Sequence, residues 1–104
     1  MSLGELVVVL SRFRVANGLG PEVRAAFRSR PRLVDEAPGF LGLETFVDEQ
    51  DDDTFYLLTR WTDFASFQRW HGSASHRESH RFIPKGLKLD PSFTRVWQWR
   101  KLSD

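Results

Sequence analysis

The chain has 104 residues, 15 of them basic and 14 acidic, with no cysteine and 13% aromatic residues. That length suits one domain, since typical domains run to roughly 100–150 residues, and a net charge of +1 supplies no global field toward nucleic acid or an anionic membrane. The missing cysteine excludes disulfides, thiolate catalysis and cysteine-rich zinc sites, while the longest apolar run, residues 6–10, is far shorter than the ~20 residues of a membrane span and lacks the charged flank of a signal peptide, so a soluble cytoplasmic protein is expected.

Residues 5–15 predict a strand that is β-branched early and alternates later. Asn17-Gly18-Leu19-Gly20-Pro21 reads as a turn, with Pro21 suited to the first helical position. Val23, Ala26 and Phe27, then Leu33, Val34 and Ala37, follow helical spacing with Arg24, Arg28 and Arg32 outside. Pro31 lacks a backbone donor and predicts a kink or break near Arg30, and Pro38-Gly39 ends the helix. A second strand is predicted over 40–47, an acidic hairpin turn over 48–53 and a third strand over 54–61. Thr62 or Asp63 caps a helix carrying Phe64, Phe67 and Trp70; Gly72 stops it, and Ser75 with Glu78 suggests a capping box for a further turn. Residues 84–91, with two prolines, a glycine and two lysines, read as a loop before a last strand over 93–99.

The order β-α-β-β-α-β is the ferredoxin-like α+β pattern, a four-stranded antiparallel sheet with both helices on one face. The other face is not written as a solvated one. Leu6, Val8 and Leu10 oppose Val7 and Val9 in parity, and Phe40 with Leu41, and Val96 with Trp97, repeat the double pattern. A symmetric homodimer packed sheet on sheet, a dimeric α/β barrel, is the expected cover.

Titratable and aromatic side chains concentrate over residues 67–80, which hold Trp70 and all three histidines of the chain, His71, His76 and His80. The break at Gly72 predicts that they gather around one concavity. Trp70 continues the Phe64, Phe67 stripe, so core packing and a pocket wall are both open to it. His76 and His80 stand at the i, i+4 spacing of some zinc sites, without a third ligand at supportive spacing. Asp51-Asp52-Asp53 lacks the glycine and glutamate of a calcium loop, and Gly18-Leu19-Gly20 lacks the Lys-Ser/Thr of a phosphate cradle. There is no Ser-His-Asp triad or carboxylate dyad.

Several segments together, Ala37-Pro38-Gly39-Phe40-Leu41-Gly42-Leu43, Leu57-Leu58-Thr59-Arg60-Trp61, Phe67-Gln68-Arg69-Trp70 and the run from Ser73 to His80, resemble the antibiotic biosynthesis monooxygenase superfamily of dimeric α/β barrels over residues 7–97. The resemblance implies a small monooxygenase that binds a hydrophobic or aromatic molecule, with no nucleic-acid or membrane partner. Trp70 and His80 match the tryptophan and histidine of its haem-degrading branch. That likeness implies that His80 ligates haem iron, that Trp70 presses on the porphyrin, and that Ser11 occupies the position of the branch's strand-one asparagine. Ser11 is shorter but keeps a group that donates and accepts a hydrogen bond. Arg81, with Lys85 and Lys88, follows the site and is a candidate partner for porphyrin propionates. Cofactor-free oxidation of an aromatic polyketide, or a non-catalytic binding module in a stress response, are the alternatives.

Overall fold

The structure, a computed structural model, describes residues 6–29, 33–79 and 83–104. Along these run β1 (Val7–Arg14), α1 (Gly20–Arg28), a 3-10 turn (Leu33–Glu36), β2 (Phe40–Asp48), β3 (Asp51–Trp61), α2 (Phe64–His71), α3 (Ala74–Ser79) and β4 (Arg95–Arg100). The strands form one antiparallel sheet in the order β2-β3-β1-β4, the ferredoxin-like α+β arrangement that the element order predicts. No described helix is long and apolar enough to cross a membrane.

Two local readings change, at the acidic run and at the last strand. The acidic run is not all turn: β2 continues to Asp48 and β3 already starts at Asp51. Carboxylates make the tight turn workable, because Asp48 accepts from the Gln50 backbone N–H at 2.9 Å and Asp51 accepts from the Asp53 N–H at 3.0 Å and the Thr54 hydroxyl at 2.9 Å. Arg14 pairs with Asp51 at 3.1 Å and offsets its charge. The first crossover agrees with a break near Arg30: α1 ends at Arg28 and a 3-10 turn starts at Leu33, with residues 30–32, Pro31 among them, outside the described residues. The last strand starts at Arg95, because Phe93 still belongs to a turn in which its N–H donates to Asp90 O at 3.1 Å.

Alternation along the strands separates two faces. Val7, Val9, Ser11 and Phe13 of β1 share the helix-covered face with Trp61, Thr59, Leu57 and Phe55 of β3, to which they are paired in register. On that face the core forms as two clusters. The first gathers Val7, Val9, Val34 and Trp61, with Ala37, Phe40, Leu43, Phe67 and Trp70 packed around them. The second gathers Val15, Val23 and Phe55 with Phe13, Leu19, Phe27 and Leu87. The opposite face carries Val8 and Leu10, Tyr56 and Leu58, and Trp97 and Trp99. Trp99 is 48% exposed there, so the double apolar parity seen in the sequence is exposed apolar surface, shared with the Arg60–Glu44 ion pair at 3.2 Å on the same face. Leu41 is the exception: a β-bulge between Phe40 and Gly42 takes it out of the alternation.

Candidate functional site

One row of the sheet belongs to neither cluster. Thr45 pairs with Leu57, Leu57 with Ser11, and Ser11 with Val96, so these four cross β2, β3, β1 and β4 in a line on the helix side. The rows above and below carry the apolar clusters, while Thr45, Leu57 and Ser11 are only half-buried and Val96 is 53% exposed. This row lies between the two clusters, and at its Thr45 end a shallow cavity opens beside α1, lined also by Arg24, Phe27, Arg28, Phe46, Val47 and Phe55. The polar side-chain atoms of the row are the hydroxyls of Ser11 and Thr45, and Ser11 makes no side-chain hydrogen bond among the described residues.

Helix α2 covers the first cluster, and its seat is specified in detail. Asp63 caps it, its carboxylate accepting from the Ser66 N–H at 2.7 Å, and that bond holds the Asp63 carboxyl below the usual carboxylate range. Gly39 lies under the first turn with φ +82°, a backbone region that disfavours any side chain. A Cβ there would meet Ser66 Oγ and Cβ and Thr62 Oγ1. The Gly39 carbonyl also accepts from Thr62 N–H at 2.8 Å, tying the start of β2 to the entry of α2. From this seat Phe67 reaches Trp61 edge to face, with ring centroids 5.8 Å apart, and Trp70 lies half-buried against the same cluster. Trp70 is thus a packing residue of the core, as the helical stripe predicts.

Gly72 ends α2, its N–H donating to Gln68 O at 3.1 Å. The next helix is capped by Ser73 rather than by the expected Ser75: Ser73 Oγ accepts from the His76 N–H at 3.1 Å while its own hydroxyl donates to Trp70 O at 2.7 Å. The helix begins at Ala74, so Ser75 already lies inside it. This fold-back sets His76 edge-on to Trp70 at 5.6 Å and brings it to 4.7 Å from His71, ring centroid to centroid. Of the predicted site residues, Ser11 lies in the row between the clusters and Trp70 packs against the first cluster. His80 and Arg81 lie outside the described residues. Lys85 and Lys88 are exposed on a loop whose backbone bonds to Ala16 and Asn17, at the end of the sheet that carries the second cluster. Sequence reasoning missed Thr45, Leu57 and Val96, which need strand register to be recognised, and it gave His71 no contact with His76. Among the described residues no group of three or more His, Asp or Glu side chains is placed to hold a metal ion.

A family model described as antibiotic biosynthesis monooxygenase matches residues 6–81. The chain belongs to this family. It is 31% identical over 64 residues to a mycobilin-producing haem oxygenase of Mycobacterium tuberculosis, covering 62% of this chain and 61% of the relative. It is also 30% identical over 77 residues to a haem-degrading monooxygenase of Bacillus cereus, covering 72% of this chain and 71% of that one. The structure of the M. tuberculosis haem degrader MhuD, with two haems bound in its active site, superposes with a TM-score of 0.69 at 24% identity, covering 94% of this chain and 97% of that one. At that identity the superposition establishes the shared fold, and the family rests on the sequence matches.

Proposed function

We propose that the protein is a small monooxygenase that takes haem as substrate over the Thr45–Leu57–Ser11–Val96 row. The observation that carries the reading is the row itself: a strip of sheet that crosses four strands, apolar at Leu57 and Val96, incompletely buried and left out of both core clusters. A flat, apolar, polar-edged molecule fits such a strip, since ligand sites are largely apolar with a few polar groups that orient. Support for haem in particular comes from the two haem-degrading relatives and from the family motif at Trp70 and His80. In this reading Trp70 holds one face of the macrocycle, Ser11 offers the hydroxyl hydrogen bond from the sheet, His80 ligates the iron and Arg81 pairs with a propionate. Haem supplies the iron centre at which oxygen is activated; the chain supplies position, exclusion of water and one hydrogen-bonding group.

The open face of the sheet supports a homodimer packed face to face. Trp97 and Trp99 stand 6.4 Å apart on it, and the Arg12 guanidinium lies 4.1 Å from the Phe93 ring centroid and 5.3 Å from that of Trp97. Packed on a second copy, this surface would be removed from water, and a standard interface of about 800 Å² per partner is within reach of four strands.

Ser11 favours a second reading, because a hydroxyl takes the place of an amide where the haem degraders carry asparagine. On that reading the same site oxidises an aromatic substrate without a cofactor. Haem added to the purified chain separates the two. A Soret band saturating at one haem per chain, then bleaching under a reductant and oxygen, is expected. Ser11→Asn should speed the bleaching without weakening haem binding. Absence of a Soret shift at micromolar haem would overturn the haem reading in favour of the aromatic one, and binding without bleaching would leave the chain a haem carrier.

A further inference from the structure

His71 ends α2 and His76 lies in the first turns of α3, and the reversal at Gly72-Ser73 brings their imidazoles together. We propose that this pair is a binding site for a divalent transition cation of borderline softness, Cu²⁺ before Zn²⁺, distinct from the haem position and independent of whether haem binds.

The geometry carries the inference. An imidazole coordinated at about 2.0–2.1 Å through one nitrogen has its ring centre about 3.2 Å from the metal, so two rings bound at roughly 90–110° to each other lie about 4.5–5.2 Å apart. The observed separation is 4.7 Å, with the ring planes tilted by 37° rather than lying parallel. The rings are held in place by their surroundings. His71 rests on Phe67 with centroids 5.5 Å apart, and His76 stands edge-on to Trp70 at 5.6 Å with its backbone N–H tied to Ser73. Little side-chain freedom then remains to be lost on chelation. His71 is exposed, so water completes the coordination sphere.

Two imidazoles plus water form an exchangeable site rather than a closed structural one. Nitrogen donors of this kind rank copper above nickel and zinc. Two cationic side chains on these helices, Arg69 and Arg77, are turned to Ser66 Oγ at 3.1 Å and to Gly72 O at 3.4 Å.

The test uses the full chain, free of haem, titrated with CuSO₄ at neutral pH. One saturable equivalent per chain is expected, with an electron paramagnetic resonance spectrum showing two equatorial nitrogens. Trp70 would lie within about 9 Å of the bound ion (5.6 Å to the His76 ring plus about 3.2 Å to the metal), so its fluorescence should be quenched on the same isotherm. His71→Ala and His76→Ala should each abolish the two-nitrogen signal, and Trp70→Phe should keep the signal but lose most of the quenching. Circular dichroism of each variant shows whether it is folded, and His71→Asn gives a second, milder probe of the same position. An isotherm unchanged in both histidine variants, or a spectrum with one nitrogen in the parent chain, would overturn the proposal. Since no haem is present, either outcome leaves the monooxygenase reading where it stands.

Discussion

Removing one hydroxyl at Thr59 tests how the seat of α2 is supported. Trp61 has no exposed surface, and its indole N–H donates to Thr59 Oγ1 at 2.9 Å, two residues earlier on the same face of β3. Thr59→Val keeps the β-branched shape and volume but deletes the acceptor, leaving a buried donor without a partner at a cost of about 1–3 kcal/mol. Trp61→Phe removes the donor and leaves roughly 40 Å³ unfilled, worth about 1 kcal/mol at ~24 cal/mol per Å³, with a lost transfer contribution of similar size. In the Trp61→Phe background, Thr59→Val strands nothing, so it should be nearly neutral. The cycle therefore predicts a coupling energy of about 1–3 kcal/mol between the two sites. Urea unfolding of the four proteins by circular dichroism, all at one chain concentration, measures it. If Thr59→Val is equally damaging in the parent chain and in the Trp61→Phe background, the hydrogen bond is not what stabilises the seat of α2, and the reasoning fails.

Gly39→Ala should destabilise by more than about 1 kcal/mol, since φ +82° is a left-handed conformation and the new methyl would meet Ser66 and Thr62; calorimetry checks it. Asp51, Asp63 and Asp90 all have carboxyls held below the ordinary value of 3.8, each chiefly by a hydrogen bond, to the Asp53 N–H, the Ser66 N–H and the Ser92 hydroxyl respectively. Their contribution to stability is fully present above the unfolded value and is lost as pH falls through the lower folded values, so the urea midpoint should hold down to about pH 5 and drop below about pH 4. Asp63→Asn, which keeps the cap without the charge, should shallow that drop. Trp97→Asp places a charge on the open sheet face and should convert a dimer into a species of the 12.1 kDa chain mass by sedimentation; a parent chain already at that mass would refute the face-to-face pairing.

Much of the fold was legible because parity is a local property. Val7 against Val8, and Val96 against Trp97, already show that both faces of the sheet are apolar, and no tertiary information is needed to see it. Boundaries were less legible where side chains replace backbone partners. Three consecutive aspartates read as a turn, yet Asp51 accepts two local hydrogen bonds and an arginine, which lets the strand begin inside the run. Ser75 with Glu78 fits the capping-box spacing, but Ser73 is the residue whose oxygen reaches an unpaired helical N–H. For the site, Ser11 was singled out only through its position in a family motif. Nothing in its neighbours on the chain reveals that Leu57 lies on one side of it and Val96 on the other, because register joins segments about 40 or more residues apart. Trp70 was legible from the helical stripe and the glycine after it. His80 and Arg81 lie outside the described residues and remain part of the proposal.

The high aromatic content acquires a reason once the two clusters are seen as supports. Phe13, Phe27 and Phe55 pack as a trio with centroids 5.6–5.9 Å apart under α1, and Phe40, Trp61 and Phe67 form a second set, 5.4 and 5.8 Å apart, under α2. Rings at both ends hold the helices off the sheet, while the row between them is made of small or slender side chains, Thr45, Leu57, Ser11 and Val96. A helix cannot sink onto that row without compressing close-packed rings at its two ends, and interiors of this density resist such compression. The lower burial of that row is therefore a consequence of where the sequence places large and small residues on one face of four strands.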